Sequence, residues 1–306
     1  MSRTQKTLLI IGGSGFMGSA LIAACKDWKI INYDLVPFSR ENSRPENFRD
    51  LVASGNLEDD LKEVFPEISA VWIRAGKTGG GSSTKIQECS AYLETNTELV
   101  RKVTNLCAQF GCQKIFYDSS EQVFGNSGDH FGLFPETEPF PLNFYGVSKV
   151  VSEKILYQWA QEGPERSVQI FRYSRVRGAM TRDVIRFMVS CCVNGEPIPL
   201  TVDPGHRISF VHINDVTNAN LRSLDLSPKF ACYHVSSGRP VSLFELATRV
   251  QEIFGQRVGI SIKEKALPPD YEPYVVGMDW EKSREILGLP FPLSLDCMIE
   301  ETFQTL

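Results

Sequence analysis

The chain has 306 residues, 42% of them hydrophobic and 23% charged, which is the composition of an ordinary water-soluble globular protein with one or two domains. A net charge of −5 and the lack of a basic block argue against nucleic acid as a partner. No apolar run has the length needed to cross a bilayer, and the eight cysteines form no C-x-x-C motif, so we expect no membrane partner and a location in the reducing cytoplasm.

The first predicted element is a buried strand at Thr7–Ile11, which leads into the glycine-rich turn Gly12–Gly18 and a helical pattern. Strand, glycine turn and helix in this order are typical of a dinucleotide-binding unit. Gly12 permits the tight turn, Gly15 lets the backbone approach a pyrophosphate, and Gly18 lets the helix pack close to its strand. The free N–H groups at the start of the helix would face the phosphates.

A second strand is predicted at Lys29–Tyr33 and ends in Asp34, at the distance where an acidic residue binds the ribose hydroxyls of adenosine. A carboxylate there would repel a 2′-phosphate, which favours NAD over NADP. Arg40 and Arg44 lie downstream, so NADP stays an alternative. A second interpretation of Asp34 is that it only begins the next turn.

A third strand is predicted at Leu51–Ser54 and a fourth at Ser69–Arg74. Asn56 and Leu57, after the third strand, are expected to flank the adenine. Ala75 and Gly76, after the fourth, are small and would let the cofactor lie against the backbone.

The fifth predicted strand, Lys114–Ser120, ends in two serine hydroxyls, and a later helical pattern covers Phe144–Trp159. Positions four apart share a helix face, so Tyr145 and Lys149 lie side by side. A nearby ammonium group favours phenolate and lowers the pKa of tyrosine, and a strand-end hydroxyl can share a substrate proton with it. This is acid–base equipment for interconverting an alcohol and a ketone, although a Tyr-x-x-x-Lys pair alone is often surface decoration.

A long helical pattern at Gln87–Phe110 carries Asn96, and a sixth strand is predicted at Val168–Phe171. Alternating strands and helices indicate an α/β fold, a Rossmann-type doubly wound parallel sheet.

These motifs resemble the extended short-chain dehydrogenase/reductases, in particular the NAD-dependent epimerase/dehydratase family that modifies nucleotide sugars. The resemblance covers nearly the whole chain. Its strongest segments are Gly12–Gly18, Ser119–Gly125, Pro141–Lys149, Phe210–Val216, and Tyr233–Gly238 running into Val241–Leu246. It implies an NAD-binding Rossmann domain over residues 1–173 and a smaller substrate-binding lobe over residues 174–306, from which some chain returns to the first domain.

The resemblance also implies roles for individual residues. Tyr145 would be the general acid/base, Lys149 would lower its pKa and bind the nicotinamide ribose, and Ser120 would orient the sugar. Asn96 would support the site, while Ser119 would lie nearer the cofactor. The cofactor-binding residues expected are Gly12, Gly15, Phe16, Met17, Gly18, Asp34, Asn56, Leu57, Ala75, Gly76, Asn96, Ser119, Tyr145, Lys149 and Tyr173.

The substrate side departs from the family pattern. Arg175 stands where an Asn amide is usual, and since arginine prefers carboxylate or phosphate, an acidic substrate and a surface ion pair both stay open. The arginine that binds the diphosphate usually stands four residues before His212, where this chain has Ile208. Arg207 is one residue earlier and, because neighbours on a strand point to opposite faces, replaces it only through a bulge.

Glu121 and Gln122 follow Ser120, where the dehydratase branch needs two acids or an acid at the second position. Glutamine cannot take a proton, so 4,6-dehydration is disfavoured. The expected substrate-binding residues are Lys77, Glu121, Gln122, Arg175 and Arg207, and no residue spacing predicts a metal site.

The predicted function is epimerisation of a nucleotide sugar through oxidation and reduction at C4 with bound NAD. A one-way 4-keto-sugar reductase that uses NAD(P)H is the alternative, and a non-catalytic NAD-binding sensor is the alternative of another class. Helices near Gln87–Phe110 and Phe144–Trp159 resemble those of the family's dimer interface, so a homodimer is expected.

Overall fold

The computed structural model describes residues 5–40, 44–78, 84–125, 133–202, 206–255, 258–264 and 275–306. These residues pack into two compact units. The first unit comprises Met1–Val123, Pro139–Arg172 and Thr217–Tyr233, and the second comprises Phe124–Glu138, Tyr173–Val216 and His234–Leu306.

The strands of the described chain are β1 (Thr7–Ile11), β2 (Lys29–Asp34), β3 (Phe48–Val52), β4 (Ala70–Ile73), β5 (Lys114–Ser120), β6 (Ser167–Tyr173), β7 (Arg175–Arg177), β8 (Ile198–Val202), β9 (Arg207–Ile208), β10 (Phe210–His212), β11 (Phe230–Val235), β12 (Val241–Ser242) and β13 (Ile260–Glu264). The first unit is organised around a seven-stranded sheet in the order β11-β6-β5-β4-β1-β2-β3. Strands β3, β2, β1, β4 and β5 pair in parallel, and this confirms the predicted Rossmann-type sheet. The strand order turns back between β1 and β4, the place where open α/β sheets bind ligands.

The helices are α1 (Phe16–Ala24), α2 (Leu57–Leu61), α3 (Cys89–Tyr92), α4 (Glu98–Phe110), α5 (Phe144–Gln161), α6 (Val184–Asn194), α7 (Ile213–Ser223), α8 (Leu243–Phe254), α9 (Glu281–Leu287) and α10 (Leu295–Phe303). The predicted helix at Gln87–Phe110 is not continuous, because a π-helical turn at Leu93–Thr97 joins α3 to α4. In the part of the chain that the structure describes, every helix is too short or too polar to cross a membrane.

Both faces of the sheet are covered, which explains why β1 is buried along its whole length. On one face, Leu9 and Val71 pack with Val100 of α4 in a large apolar core. On the other face, Trp72 stacks between Phe116 and Phe171, with ring centres 4.5 Å and 5.4 Å away.

The third strand begins three residues and ends two residues earlier than predicted, at Phe48–Val52 instead of Leu51–Ser54. Its register places Asp50 opposite Asn32 of β2, and the Asn32 amide donates to the Asp50 carboxylate at 2.7 Å. Because this pair is polar, the strand lacks the hydrophobic pattern by which a buried strand is predicted.

The second unit has short strand pairs and a helical core. β7 pairs with β10, β9 with β12, and β8 with β13. Helices α6, α8 and α10 share a core that includes Met188, Leu246 and Met298. Arg177 is completely buried in this unit, where it donates to the Asp183 carboxylate at 3.0 Å and to the Met298 carbonyl at 2.9 Å.

Candidate active site

The glycine turn after β1 is fixed by close packing. Gly12 has a φ of +90°, and a Cβ there would lie 2.4 Å from the Ala75 nitrogen. A Cβ on Gly18 would lie 2.5 Å from the Gly13 Cα, which is the predicted close approach of helix and turn. At Gly15 the nearest heavy atom to a Cβ would be 3.7 Å away, an ordinary van der Waals distance. Packing therefore requires glycine at positions 12 and 18 but not at position 15.

The start of α1 offers unoccupied donors. Gly15 caps the helix without a side-chain hydrogen bond, and the first turn contains no acidic residue. The first N–H groups of a helix have no partner within it and attract anions. Phe16 and Met17 lie in this first turn, and their contact with a cofactor stays a prediction.

A cavity of about 680 Å³ opens beside the turn, within the usual size range of ligand pockets. Of the predicted residues, the ones that line it are Gly12, Gly15, Asp34, Leu57, Ala75, Gly76 and Lys77. Asn56 is exposed at the start of α2, with its amide 2.5 Å from the Asp59 carboxylate.

Asp34 closes the cavity at the end of β2. Its carboxylate accepts hydrogen bonds from the Ser14 N–H at 2.9 Å and the Leu35 N–H at 2.7 Å. Arg44, one of two arginines that left NADP open, donates to the Phe38 carbonyl at 2.7 Å and lies over the Phe38 and Phe48 rings. Its guanidinium group is therefore engaged by the loop after β2, whereas the Asp34 carboxylate lines the cavity.

Helix α5 begins close to the end of β5. The Asn143 side chain caps it by accepting from the Gly146 N–H at 2.8 Å. A Cβ on Gly146 would lie 2.1 Å from the Gln122 carbonyl oxygen, so only glycine allows this approach. The Ser120 hydroxyl is close enough to the Tyr145 phenol to lower its pKa, and the Lys149 ammonium donates to the Asp118 carbonyl at 2.8 Å. The structure thus brings together the three predicted catalytic residues.

The pKa values differ from the expected direction. Burial raises the pKa of Tyr145 to about 12, and it outweighs the lowering effect of the Ser120 hydrogen bond. Burial also lowers the pKa of Lys149 to about 8, against the opposing pull of the Asp118 and Glu153 carboxylates. The Lys149 nitrogen is 5.7 Å from the centre of the Tyr145 ring, so the pair is adjacent as predicted, but desolvation dominates both groups.

Asn96 lies buried in the π-helical turn and holds the chain after β4. Its side-chain oxygen accepts from the Lys77 N–H at 2.7 Å, and its amide donates to the Lys77 carbonyl at 3.1 Å and to the Ser148 hydroxyl at 2.9 Å. A Cβ on Gly76 would lie 3.8 Å from the Lys149 nitrogen, so the cavity wall passes directly beside this lysine. The π-helical turn is a common device at functional sites.

The proposed substrate-side residues have varied surroundings. The Lys77 ammonium lies 3.4 Å from the Glu88 carboxylate. Glu121 begins a short 3-10 turn directly after Ser120. The Gln122 side chain accepts from the Asn143 amide at 3.0 Å.

In the second unit, Tyr173 is buried at the end of β6 and Arg175 is exposed on β7. Arg207 donates to the Glu245 carboxylate at 2.7 Å, while its neighbour Ile208 is buried in the core of this unit. The roles of Arg175 and Arg207 in binding substrate stay predictions.

Two buried acids were not singled out from the sequence. Asp118 accepts from the Trp72 indole at 2.7 Å and lies 3.1 Å from the Arg74 guanidinium. Glu153 accepts from the Ser119 hydroxyl at 2.5 Å and pairs with Arg172. Two signals were available: an acid inside the apolar fifth strand, and a spacing of four that continues past Lys149.

Comparison with known proteins gives a consistent result. The profile of the NAD dependent epimerase/dehydratase family matches residues 8–234. A UDP-glucose 4-epimerase of Lacticaseibacillus casei is 25% identical, covering 92% of this chain and 91% of that protein. A dTDP-4-dehydro-6-deoxy-D-allose reductase of Streptomyces sp is 24% identical, covering 82% of each chain.

Solved structures share the fold over almost the whole chain. MoeE5 in complex with UDP-glucuronic acid and NAD superposes with a TM-score of 0.79 at 25% identity, covering 98% of this chain and 100% of that one. The UDP-glucose 4-epimerase of Thermotoga maritima with UDP-glucose has a TM-score of 0.81 at 20% identity, covering 97% of both chains.

Proposed function

The chain belongs to the NAD dependent epimerase/dehydratase family, and from this premise we propose that it is an NAD-dependent enzyme that epimerises a nucleotide-bound sugar at C4. The observation that carries the proposal is the meeting of Ser120, Tyr145 and Lys149 beside the wall of a cavity that begins at the glycine turn. A binding protein without activity would have no use for a buried acid–base pair of this kind.

The cavity residues fit NAD. Gly15 at the cavity wall and the free N–H groups of α1 suit a pyrophosphate, while the Asp34 carboxylate suits ribose hydroxyls and disfavours a 2′-phosphate. When bound, NAD supplies the acceptor and donor of a hydride.

The protein side of the reaction is proton transfer. Tyr145 takes the proton of the C4 hydroxyl as the hydride leaves C4, and Ser120 shares that hydroxyl. The resulting 4-ketone turns and receives the hydride on its other face, and the same tyrosine returns the proton. Burial and the Asp118 and Glu121 carboxylates disfavour the phenolate form, whereas Ser120 favours it. The Lys149 ammonium, 5.7 Å from the ring centre, would favour it as well when charged.

The substrate class follows from the relatives. Two relatives at 25% identity are UDP-glucose 4-epimerases, and MoeE5, also at 25%, is in complex with UDP-glucuronic acid. We therefore propose a UDP-sugar, with no assignment of the sugar itself.

The test uses purified protein and no added cofactor. We expect NAD to co-purify and C4 epimers to interconvert in a panel of UDP-, GDP-, dTDP- and CDP-sugars, measured by NMR of the anomeric protons. Tyr145→Phe should reduce turnover by about 10²–10⁴-fold, the contribution of a general acid/base. Tyr157→Phe is the control, because Tyr157 lies exposed on the same helix. Full activity in Tyr145→Phe would contradict the proposal.

A reductase is the second candidate, supported by the match to the dTDP-4-dehydro-6-deoxy-D-allose reductase. It predicts protein that loses its cofactor on purification and consumes NADH or NADPH with a 4-keto sugar. Binding of NAD without turnover of any sugar nucleotide would instead indicate the sensor.

A further inference from the structure

Helix α5 is attached to the end of β5 at three positions spaced one turn apart. Each position faces one of three consecutive strand residues: Tyr145 lies near the Ser120 hydroxyl, Lys149 donates to the Asp118 carbonyl, and Glu153 accepts from the Ser119 hydroxyl. The proposed chemistry uses the first two attachments. The third has no part in it.

The Glu153 side chain is buried, and both of its carboxylate oxygens accept hydrogen bonds. Its side chain is only 7% exposed and that of Arg172 only 6%. One carboxylate oxygen accepts from the Ser119 hydroxyl at 2.5 Å and from the Arg172 Nε at 3.1 Å, and the other accepts from the second Arg172 nitrogen at 2.7 Å. Such a two-pronged pair fixes orientation as well as distance. The Glu153 carboxylate therefore links α5 to both β5 and β6.

We propose that Glu153 is a positioning residue for the reaction at Tyr145: it holds α5 in register with β5 and keeps the neighbouring Lys149 positively charged. The part of this inference that concerns the reaction rests on the proposed function. The part that concerns the charge of Lys149 does not.

The charges around Lys149 support this role. The groups that face it or pair with those that do are Asp118 and Tyr117 of β5, Tyr145 and Glu153 of α5, Arg74 after β4, and Arg172 of β6. Burial lowers the pKa of Lys149 to about 8, and the carboxylates of Asp118 and Glu153 oppose that fall. Without the negative charge of Glu153, less of the lysine would be ammonium at neutral pH.

The direct test is an NMR titration of protein labelled with ¹³C at the lysine Cε, in which the Lys149 signal is assigned by its loss in Lys149→Met. In Glu153→Gln we expect the Lys149 midpoint to move to lower pH by about one unit, the effect of removing one nearby opposite charge. Glu162→Gln is the matched control, because Glu162 forms an exposed ion pair with Arg166 at the end of the same helix. Its Lys149 midpoint should not move.

Three further variants separate charge from attachment. Ser119→Ala keeps the carboxylate, so the midpoint should stay while turnover falls. If Glu153→Gln does not fold because Arg172 is left unmatched, Arg172→Gln gives the converse test: it removes the positive charge beside the carboxylate, so the Lys149 midpoint should move to higher pH. Glu153→Asp should restore the midpoint towards that of the original protein.

A folded variant without the charge of Glu153 and with an unchanged Lys149 midpoint would overturn the inference. The titration needs no substrate, so it stands apart from the proposed function. A shifted midpoint in a protein that epimerises no sugar would support the role of Glu153 at Lys149 and reject the epimerase. An active protein with an unmoved Lys149 midpoint would support the epimerase and reject the role of Glu153 at Lys149.

Discussion

At the scale of residues, Tyr145 and Lys149 lie one turn apart on α5, and burial moves the pKa of both side chains away from its usual value. The i, i+4 relation of Tyr145 and Lys149 survives in the structure because both lie on one helix. Their pKa values were not predictable in the same way, since burial depends on the strands and helices that close around them. Glu153 was missed for a related reason: its spacing is visible in the sequence, but its partners Ser119 and Arg172 come from two other strands.

Lys149 should make the stability of the protein depend on pH. Its pKa is lowered to about 8, whereas an unfolded lysine titrates near 10.4. Between these values the unfolded chain binds more protons, so the free energy of unfolding rises with pH. In Lys149→Met we expect a gain over the original protein of about 3 kcal/mol below pH 8 that shrinks to nothing above about pH 10.

Urea unfolding at a series of pH values measures this difference. Burial also lowers the pKa of Lys114 to about 8, but Lys114 is present in both proteins and its contribution cancels. A difference that does not change with pH would show that Lys149 titrates normally.

Asp34 should set the choice of cofactor. Replacing it by Asn keeps a side-chain acceptor for the Ser14 N–H but removes the charge that repels a 2′-phosphate. We expect the preference for NAD over NADP to fall by about tenfold, equivalent to about 1.4 kcal/mol. Calorimetric titration of both cofactors measures it. Asp27→Asn, in the exposed loop before β2, is the control and should change neither affinity.

At the scale of elements, long helices and buried parallel strands were predictable to within a few residues. The π-helical turn at Leu93–Thr97 was not, because its cause lies outside the helix. Asn96 must reach the backbone of Lys77, and no periodicity in α3 and α4 records that distant partner. The shift of β3 has a similar origin in the Asn32–Asp50 pair.

Asn96→Leu should therefore destabilise the first unit. The substitution keeps the volume but leaves the Lys77 N–H and carbonyl without their partner, at a cost of about 2–3 kcal/mol. Chemical denaturation measures the loss. Asn218→Leu, at an exposed position on α7, should lie within about 0.5 kcal/mol of the original protein. Equal stability of both variants would show that the Asn96 contacts are not needed.

At the scale of the whole molecule, the motifs of the first half defined the parallel sheet, whereas the strands of the second unit are only two to five residues long and pair over long sequence distances. A sequence pattern of two to five residues is too short to predict a strand. The segment Thr217–Tyr233 packs with the first unit although it follows much of the second, which no local pattern records.

The outward faces of α4 and α5 lead to a prediction about assembly. A groove of about 450 Å³ lies between them, lined by Ala108 and Val151 among others. We predict a homodimer through these helices. Ala108→Glu should shift the protein to monomers in sedimentation at micromolar concentration, because a charge buried at an interface is costly. Met180→Glu, at an exposed position of the second unit, should not. A monomeric original protein would reject the prediction.

The glycine turn has an evolutionary consequence. Gly12 is excluded from change by Ala75, a neighbour inside the fold, whereas at Gly15 nothing in the protein forbids a methyl group. A homologue that had lost its redox activity would still need glycine at position 12 to fold, but position 15 could be substituted by drift. Among distant homologues, a glycine retained at position 12 thus indicates only that the chain folds. A glycine retained at position 15 indicates that the coenzyme is still used.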